Sequence, residues 1–198
     1  MYKLYDFLPS GNCYKIRLLL SQLKIEYERV NVNILKNESQ SPEFLKINPN
    51  GKTPVLYHNG NYLAESNAIL WYLSSNTNFV PKDTYKQALV LQWMFFEQFS
   101  HEPNIAAPRY WISILQEESK YQEQLKIKTK LGYIALDIME KHLSLNDFFV
   151  GSQYSIADIA LYAYTHVAEE GKFDLSKYVK IQHWLTIIES QENYIHIK

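Results

Sequence analysis

The chain of 198 residues is long enough for one large domain or two small ones, and its hydrophobic content of 46% supports a buried core. A formal net charge of −1 argues against nucleic acid or an anionic membrane surface as a partner, and no apolar run approaches the ~18 residues that span a bilayer. The single cysteine, Cys13, excludes an intramolecular disulfide, and the histidines, cysteine and aspartates lack metal-ligand spacing. We therefore expect a cytoplasmic protein without a leader segment or a metal site.

The first part of the chain predicts alternating strands and helices. Residues 2–7 have the pattern of a short strand, and residues 12–24 place apolar side chains at three- and four-residue steps, as in an amphipathic helix. A second strand over residues 27–32 follows so closely that the two strands should be parallel. The remaining elements are a short helix within residues 37–47, a hairpin turning at Asn59-Gly60, and an apolar helix after Ser66. The order βαβαββα indicates an α/β domain over residues 1–76.

The second part of the chain predicts only helices. Residues 77–84 contain Pro81 without apolar periodicity and indicate a linker, so that residues 85–198 form an all-helical domain. Helices are expected over residues 85–99, 121–145 and 179–190, with Pro103 and Pro108 interrupting the continuation of the first.

Two patterns describe how the helical domain is built. In the helix of residues 121–145, the side chains expected to face the core are Leu131, Ile134, Ala135, Ile138 and Met139. Ser155, followed three residues later by Asp158, predicts a capping box that opens another helix.

Residues 52–67 contain features that suit the two ends of an amino acid. Pro54 opens a strand without a backbone donor, which favours an edge, a bulge or a cis turn, and a cis bond would expose the backbone of Thr53 to an extended peptide. Ser66 stands where a helix N-cap belongs, and the amides behind it attract a carboxylate, while Glu65 can pair with an ammonium. A ligand with a free α-amino acid head and a peptide tail fits this stretch, although a plain cap and a loop proline give the same pattern.

A second candidate stretch lies between the first strand and the first helix. Ser10 and Asn12 stand in the turn that leads into the helix, where unpaired amides stabilise a thiolate or another anion. Cys13 admits two interpretations. The run from Ser10 to Cys13 resembles a redox Cys-x-x-Cys motif without its first cysteine, but Cys13 also falls on the apolar face of the helix, as a small buried residue would.

Four stretches together resemble the cytosolic glutathione S-transferase family, specifically its bacterial type. They are an activation loop, a loop into a cis-proline strand, a glutamyl-recognition turn and a capping box of the helical domain, at residues 9–16, 48–56, 65–70 and 155–158. They follow the family's order and spacing over essentially the whole length. The resemblance implies a thioredoxin-like N-terminal domain, an all-helical C-terminal domain, a homodimer, and a role in detoxification, with glutathione as cosubstrate and no permanently bound cofactor.

The resemblance also implies roles for individual residues. Ser10 and Asn12 match positions that donate to the glutathione sulfur, and a donor at a helix N-terminus favours the charged thiolate. The matches for glutathione binding are Lys52 at the glycyl carboxylate, Thr53 and Pro54 along the cysteinyl unit, and Glu65 with Ser66 at the γ-glutamyl head. The electrophile pocket is expected from the helical domain, with core or dimer packing as the alternative for its candidates His101, Arg109, Tyr110 and Trp111.

Three functions follow as hypotheses. The leading one is transfer of glutathione to an electrophilic small molecule. The turn from Ser10 to Asn12 and the redox ancestry of the fold leave open glutathione-dependent reduction of disulfides or peroxides. The third is a non-catalytic protein of the same fold that binds or regulates a partner.

Overall fold

The computed structural model describes residues 1–197, which form two compact units. The first unit comprises Met1–Thr77 together with the tail from Glu192 onward, and the second comprises residues 78–191. The boundary thus lies at the start of the linker expected over residues 77–84. The division differs from the predicted one at the tail, which the range 85–198 assigns to the helical domain.

A four-stranded sheet organises the first unit. Its elements are β1 (Tyr2–Asp6), α1 (Gly11–Gln22), β2 (Tyr27–Asn31), 3-10 turns at Ile34–Lys36 and Glu38–Gln40, α2 (Pro42–Ile47), β3 (Val55–His58), β4 (Asn61–Ala64) and α3 (Ser66–Ser74). The strand order is β2-β1-β3-β4, with β1 and β2 parallel and the other pairs antiparallel. The predicted βαβαββα order and the thioredoxin-like class are confirmed.

Alternation along the strands gives the sheet two apolar faces. Leu4 pairs with Leu56, and both are buried on the face that α3 joins, where α1 and α3 pack against each other. On the other face, Val55 packs with Val32 and with Phe44 of α2. Helices on both sides therefore fix the sheet, while the loops at its ends stay available for a site.

The second unit is all-helical, as predicted. Its helices are α4 (Thr84–Phe96), α5 (Glu102–Arg109), α6 (Gln122–Leu143), α7 (Ile156–Thr165) and α8 (Val179–Glu189), with 3-10 turns at Glu118–Tyr121 and Ala168–Gly171. Wide π-helical turns at Glu97–His101 and Tyr110–Ile114 flank α5. Pro103 and Pro108 lie beside these turns, which fits the expected interruption, because a proline removes a helical hydrogen bond. Within residues 1–197, no helix combines the length and the apolar character needed to cross a membrane.

The capping box at the start of α7 is confirmed. Ser155 Oγ accepts from the amide of Ala157 at 3.3 Å, and the Asp158 carboxylate accepts from the amide of Ser155 at 3.0 Å. Asp158 also accepts from the Phe149 amide at 3.0 Å and from Trp184 Nε1 at 3.1 Å. Burial raises the pKa of Asp158 to about 6, and these hydrogen bonds oppose the rise.

The predicted inward face of α6 is wrong in part. Ala135 and Met139 are buried, but Leu131, Ile134 and Ile138 are 42%, 47% and 44% exposed. The face that is buried comprises Gly132, Ala135, Leu136, Met139 and Leu143. An apolar stripe therefore remains on the surface of this chain.

Gly132 shows why α6 is oriented in this way. A Cβ at this position would lie 2.6 Å from the ring of Phe173 and 3.0 Å from the carbonyl oxygen of Asn104, so the close approach requires glycine. The large apolar side chains of the pattern gave no sign of this contact.

Candidate active site

Three loops of the first unit meet at one edge of the sheet. Tyr5 in β1 lies opposite Val55 in β3, and Val55 lies opposite Ala64 in β4. Because both pairs are antiparallel, the loop after β1, the entry into β3 and the turn before α3 lie at the same edge. These loops carry the predicted site residues Ser10, Asn12, Lys52, Thr53, Pro54, Glu65 and Ser66.

Ser10 is the N-cap of α1. Its backbone is extended, with φ −74° and ψ 126°, and its Oγ accepts a hydrogen bond from the amide of Cys13 at 3.3 Å. This bond satisfies one of the amides that a helix start leaves without an intrahelical partner. Ser10 and Asn12 are both half-buried, so a ligand can reach the first turn of α1.

Cys13 is a buried core residue, which confirms the second of its two interpretations. Its side chain is 0% exposed, and the Phe7 amide donates to Sγ at 3.4 Å. Burial raises the pKa of Cys13 to about 11, helped by the nearby Asp6 carboxylate and opposed by hydrogen bonds from Phe7, Thr53 and Ser10. Because the thiolate is the reactive form, these surroundings do not support a redox thiol.

The loop into β3 carries Lys52, Thr53 and Pro54. The Thr53–Pro54 peptide bond is cis, one of the arrangements that the sequence allowed. Asn48 Nδ2 donates to the carbonyl of Lys52 at 2.8 Å and holds the loop in place. Lys52 is exposed, Thr53 half-buried and Pro54 buried, so the lysine ammonium is open to an anion from solvent.

The prediction that Ser66 caps α3 is wrong, because Ser66 is the first helical residue. Glu65 occupies the cap position with φ 67° and makes no side-chain cap hydrogen bond. A positive φ is uncommon for a residue with a Cβ. Ser66 Oγ lies instead 3.2 Å from Asn12 Oδ1, so its hydroxyl connects α3 to α1. The Glu65 side chain is exposed and can meet an ammonium.

Lys15 joins the same network, although it is absent from the sequence-based set of site residues. It follows Asn12 by three positions on α1 and therefore shares its face. Its side chain is 0% exposed, with Nζ 3.2 Å from Ser66 Oγ and 3.4 Å from Asn67 Oδ1. The signal that could have identified it is a lysine inside an apolar helical run, because a lysine is almost never fully buried without partners.

His101 and Arg109 are buried inside the helical unit. His101 Nε2 lies 2.9 Å from Thr165 Oγ1, and Arg109 Nε donates to Glu170 Oε2 at 2.7 Å. These contacts favour the packing alternative for both residues. The part of the chain that the structure describes contains no group of three or more His, Cys, Asp or Glu side chains that could hold a metal ion.

Tyr110 and Trp111 lie in the second π-helical turn and are partly exposed. The Trp111 ring stacks on Tyr121, with centroids 4.6 Å apart and planes 4° apart. Burial raises the pKa of Tyr110 above its ordinary value. These two side chains keep aromatic surface that an apolar ligand could contact.

Comparisons with known proteins cover both units. Residues 1–75 match the family model described as "Glutathione S-transferase, N-terminal domain", and residues 93–192 match "Glutathione S-transferase, C-terminal domain". The first range includes the predicted site residues at the sheet edge. The second includes the four candidates of the helical unit, which are His101, Arg109, Tyr110 and Trp111.

Individual relatives are similar to this chain over most of its length. The chain is 30% identical to "Disulfide-bond oxidoreductase YfcG" of Escherichia coli, over 93% of this chain and 89% of the relative. It is also 30% identical to "Glutathione S-transferase 1" of Schizosaccharomyces pombe, over 90% of this chain and 82% of the relative. A solved structure of a glutathione S-transferase from Pseudomonas fluorescens is 48% identical with a TM-score of 0.97, over 99% of this chain and 98% of that chain.

Proposed function

This chain belongs to the glutathione S-transferase family, and we propose that it is a glutathione transferase that activates the thiol of glutathione for attack on an electrophilic small molecule. The observation that carries the proposal is the hydrogen bond between Ser66 Oγ and Asn12 Oδ1 at 3.2 Å. It joins the loop expected to activate the sulfur to the turn expected to hold the γ-glutamyl head.

Each part of glutathione has a complementary group at this edge of the sheet. The exposed carboxylate of Glu65 suits the ligand ammonium, and the first amides of α3 suit the α-carboxylate. The backbone of Thr53 suits the cysteinyl unit, and the exposed ammonium of Lys52 suits the glycyl carboxylate. The sulfur is then left to the first turn of α1, where Ser10 and Asn12 stand.

Activation of the sulfur means favouring its thiolate. A free thiol with a pKa of about 8.5 is only a few per cent ionised at pH 7. A hydrogen-bond donor and a helix N-terminus both stabilise the anion and lower that pKa. We assign the donor role to Ser10 and Asn12, and none to Cys13, whose thiol is buried.

A glutathione-agarose column and calorimetry test the binding step. We expect the wild-type protein to be retained and eluted by free glutathione, and the purified protein to turn over a chloro-nitro aromatic in its presence. Retention without turnover of this substrate, a hydroperoxide or a mixed disulfide would instead support a non-catalytic binding or regulatory protein.

Disulfide reduction is the second candidate, because a relative that is 30% identical is named a disulfide-bond oxidoreductase. Cys13 is the single cysteine of this chain, and it is buried. A disulfide reaction therefore requires glutathione itself to supply the attacking thiolate. Side-by-side assays with the aromatic, the hydroperoxide and the mixed disulfide decide between the candidates, and Cys13→Ala should keep whichever activity is found.

We also propose that the protein is a homodimer and acts in the cytoplasm in detoxification. The exposed apolar stripe of α6 supports the dimer, with Ile127, Leu131, Ile134 and Ile138 spaced along one helical face. Large exposed apolar patches mark interaction surfaces. The free cysteine fits a reducing compartment. We expect glutathione to act as a cosubstrate, with no permanently bound cofactor.

A further inference from the structure

Lys15 occupies an unusual place for a charged side chain. It lies on α1 with 0% exposure, and its ammonium is within hydrogen-bond distance of two side chains in the first turn of α3. One of them, Ser66, is itself only 6% exposed and contacts Asn12. Two hydrogen bonds thus connect the three side chains in series, from Lys15 to Ser66 and from Ser66 to Asn12.

The donor and the acceptor of each of these two hydrogen bonds follow from the chemistry of the three side chains. An ammonium has three donors and no acceptor, so Ser66 Oγ must accept from Lys15 Nζ. A serine hydroxyl carries a single hydrogen, which is then directed to its other neighbour. That neighbour, Asn12, must present an acceptor, and its carbonyl oxygen Oδ1 lies 3.2 Å from Ser66 Oγ.

We propose that Lys15 is a positioning residue for Asn12: through Ser66 it fixes the Asn12 amide with its oxygen toward α3 and its Nδ2 hydrogens presented as donors. If Ser66 could donate to another acceptor, or accept from Asn12, the amide could turn and offer its oxygen. An oxygen beside a thiolate would repel it, whereas Nδ2 stabilises it. This inference rests on the proposed glutathione chemistry.

The same assignment separates two roles of Ser66. Its hydroxyl hydrogen is engaged with Asn12, so its backbone amide, at the start of α3, is the group that serves the glutamyl carboxylate. Ser66→Ala should therefore affect the sulfur more than the affinity for glutathione.

Titration of the bound thiol tests the inference. The absorbance of enzyme-bound glutathione thiolate is measured against pH for the wild type, Lys15→Met, Ser66→Ala, Asn12→Ala and the double variant Lys15→Met/Asn12→Ala. We expect Lys15→Met to raise the pKa of the bound thiol by about one unit, because the hydrogen bond proposed from Asn12 Nδ2 to the charged thiolate becomes weaker. Calorimetry should show that most of the glutathione affinity remains. The matched control is Lys24→Met, an exposed lysine two residues after the end of α1, which should leave the titration unchanged.

The double variant distinguishes positioning from a direct effect of charge. If Lys15 acts through Asn12, the double variant should titrate like Asn12→Ala alone. If Lys15→Met raises the thiol pKa by the same amount in both backgrounds, the lysine acts directly on the sulfur and the inference is wrong. An unchanged titration in well-folded Lys15→Met also overturns it.

Ser66→Ala keeps the inference testable if Lys15→Met does not fold. It retains the lysine and removes only the bridging hydroxyl, so it should raise the pKa of the bound thiol as well. No shift in folded Ser66→Ala would overturn the inference. If wild-type protein binds glutathione without any thiolate signal, the proposed function fails with it, whereas a wild-type signal that is insensitive to these variants refutes the positioning role alone.

Discussion

Asn12 and Ser10 stand in the same turn, but their side chains have different partners. Ser10 Oγ accepts the capping bond from the Cys13 amide at 3.3 Å, so its oxygen supports the helix itself. Asn12 Oδ1 accepts from the hydroxyl of Ser66 at 3.2 Å, and the donor hydrogens of its amide are carried by Nδ2. Substitution of Ser10 should therefore affect both helix and sulfur, whereas substitution of Asn12 should mainly affect the sulfur.

The first prediction separates the three candidates for sulfur chemistry. Ser10→Ala and Asn12→Ala should each raise the pKa of the bound glutathione thiol and shift the pH–rate profile to higher pH. The double variant should shift it furthest. Each pKa unit corresponds to about 1.4 kcal/mol of lost thiolate stabilisation. Cys13→Ala should leave conjugation nearly unchanged. The measurement is turnover against pH, and abolished turnover in Cys13→Ala with unmoved profiles in the other two would reverse the assignment.

The second prediction concerns Glu65. Its exposed carboxylate is proposed to pair with the glutathione ammonium, so Glu65→Ala should weaken binding by about 10- to 100-fold, because a charge-assisted hydrogen bond contributes roughly 1.5–3 kcal/mol. Calorimetry measures the affinity. Glu26→Ala, another exposed glutamate of the same unit, is the matched control and should bind normally. Equal affinity in both variants would remove Glu65 from the site.

Local signals predicted some site residues well and others poorly. The Asn59-Gly60 turn is visible in any short window, and the hairpin follows from it. The strand-opening Pro54 is equally visible, but it left an edge, a bulge and a cis turn open, and the structure shows the cis bond. Ser66 was misplaced as a cap, because its partner Asn12 lies 54 positions away in sequence. Lys15 was not identified for the same reason, since its contacts exist only once α1 and α3 pack together.

At the scale of elements, the type and order of helices and strands followed from periodicity, while the buried side of a helix did not. α6 has two adjacent apolar stripes, and periodicity alone cannot say which of them packs inward. The small residues Gly132 and Ala135 decide the orientation, because they permit close approach. The capping box of α7 was readable because both of its partners, Ser155 and Asp158, lie within one turn.

The third prediction concerns the pH dependence of α7. The pKa of Asp158 is about 6 in the folded protein, above its ordinary value of 3.8, so the unfolded carboxyl loses its proton first as the pH rises. The contribution of Asp158 to the free energy of unfolding is therefore fully present below about pH 4 and is lost as the pH rises through about 6. A difference of about two pKa units corresponds to about 3 kcal/mol.

Comparison with Asp158→Asn isolates this contribution. The asparagine does not titrate, so between about pH 4 and pH 7 the wild type should lose about 3 kcal/mol of unfolding free energy relative to the variant. The variant should be less stable overall, since an amide cannot accept from all four donors around Asp158. Urea unfolding at several pH values measures both effects, and glutathione affinity should not change. Parallel stability curves would show that Asp158 does not titrate in this range.

At the scale of the whole molecule, the tail belongs with the sheet unit although it follows the helical one in sequence. Tyr14 donates from its hydroxyl to the carbonyl of Ile195 at 2.6 Å, and Arg17 Nη2 donates to the carbonyl of Ile197 at 3.0 Å. The same Nη2 donates to the carbonyl of Leu8 at 2.8 Å. Backbone carbonyls leave no residue pattern, so this arrangement could not be predicted from the sequence.

The fourth prediction tests the tail. Deletion from Glu192 onward should lower the free energy of unfolding by about 1–3 kcal/mol for each buried donor that loses its acceptor. Arg17 and Tyr14 are those donors, at 4% and 0% exposure. Ser21→Ala removes only an exposed bond to the carbonyl of Asn193 and should have a much smaller effect. Urea unfolding measures both, and an unchanged midpoint in the deletion would mean that the tail contributes nothing to the sheet unit.

The fifth prediction tests the proposed homodimer through the stripe of α6. Leu131 and Ile134 are 42% and 47% exposed in the single chain, and burial of an apolar side chain in an interface contributes about 25 cal/mol per Å². A glutamate at either position would place a charge in that interface at a cost of several kcal/mol. Leu131→Glu and Ile134→Glu should therefore each convert the dimer of two 23.4 kDa chains into monomers.

Sedimentation equilibrium measures the mass directly. Leu35→Glu is the matched control, because Leu35 is 48% exposed in the sheet unit and lies outside the stripe, and this variant should keep the wild-type mass. Dimerisation also makes the unfolding midpoint of the wild type depend on protein concentration, a dependence that both stripe variants should lose. A monomeric wild type would refute the dimer, whereas dimeric stripe variants would place the interface on another surface of the chain.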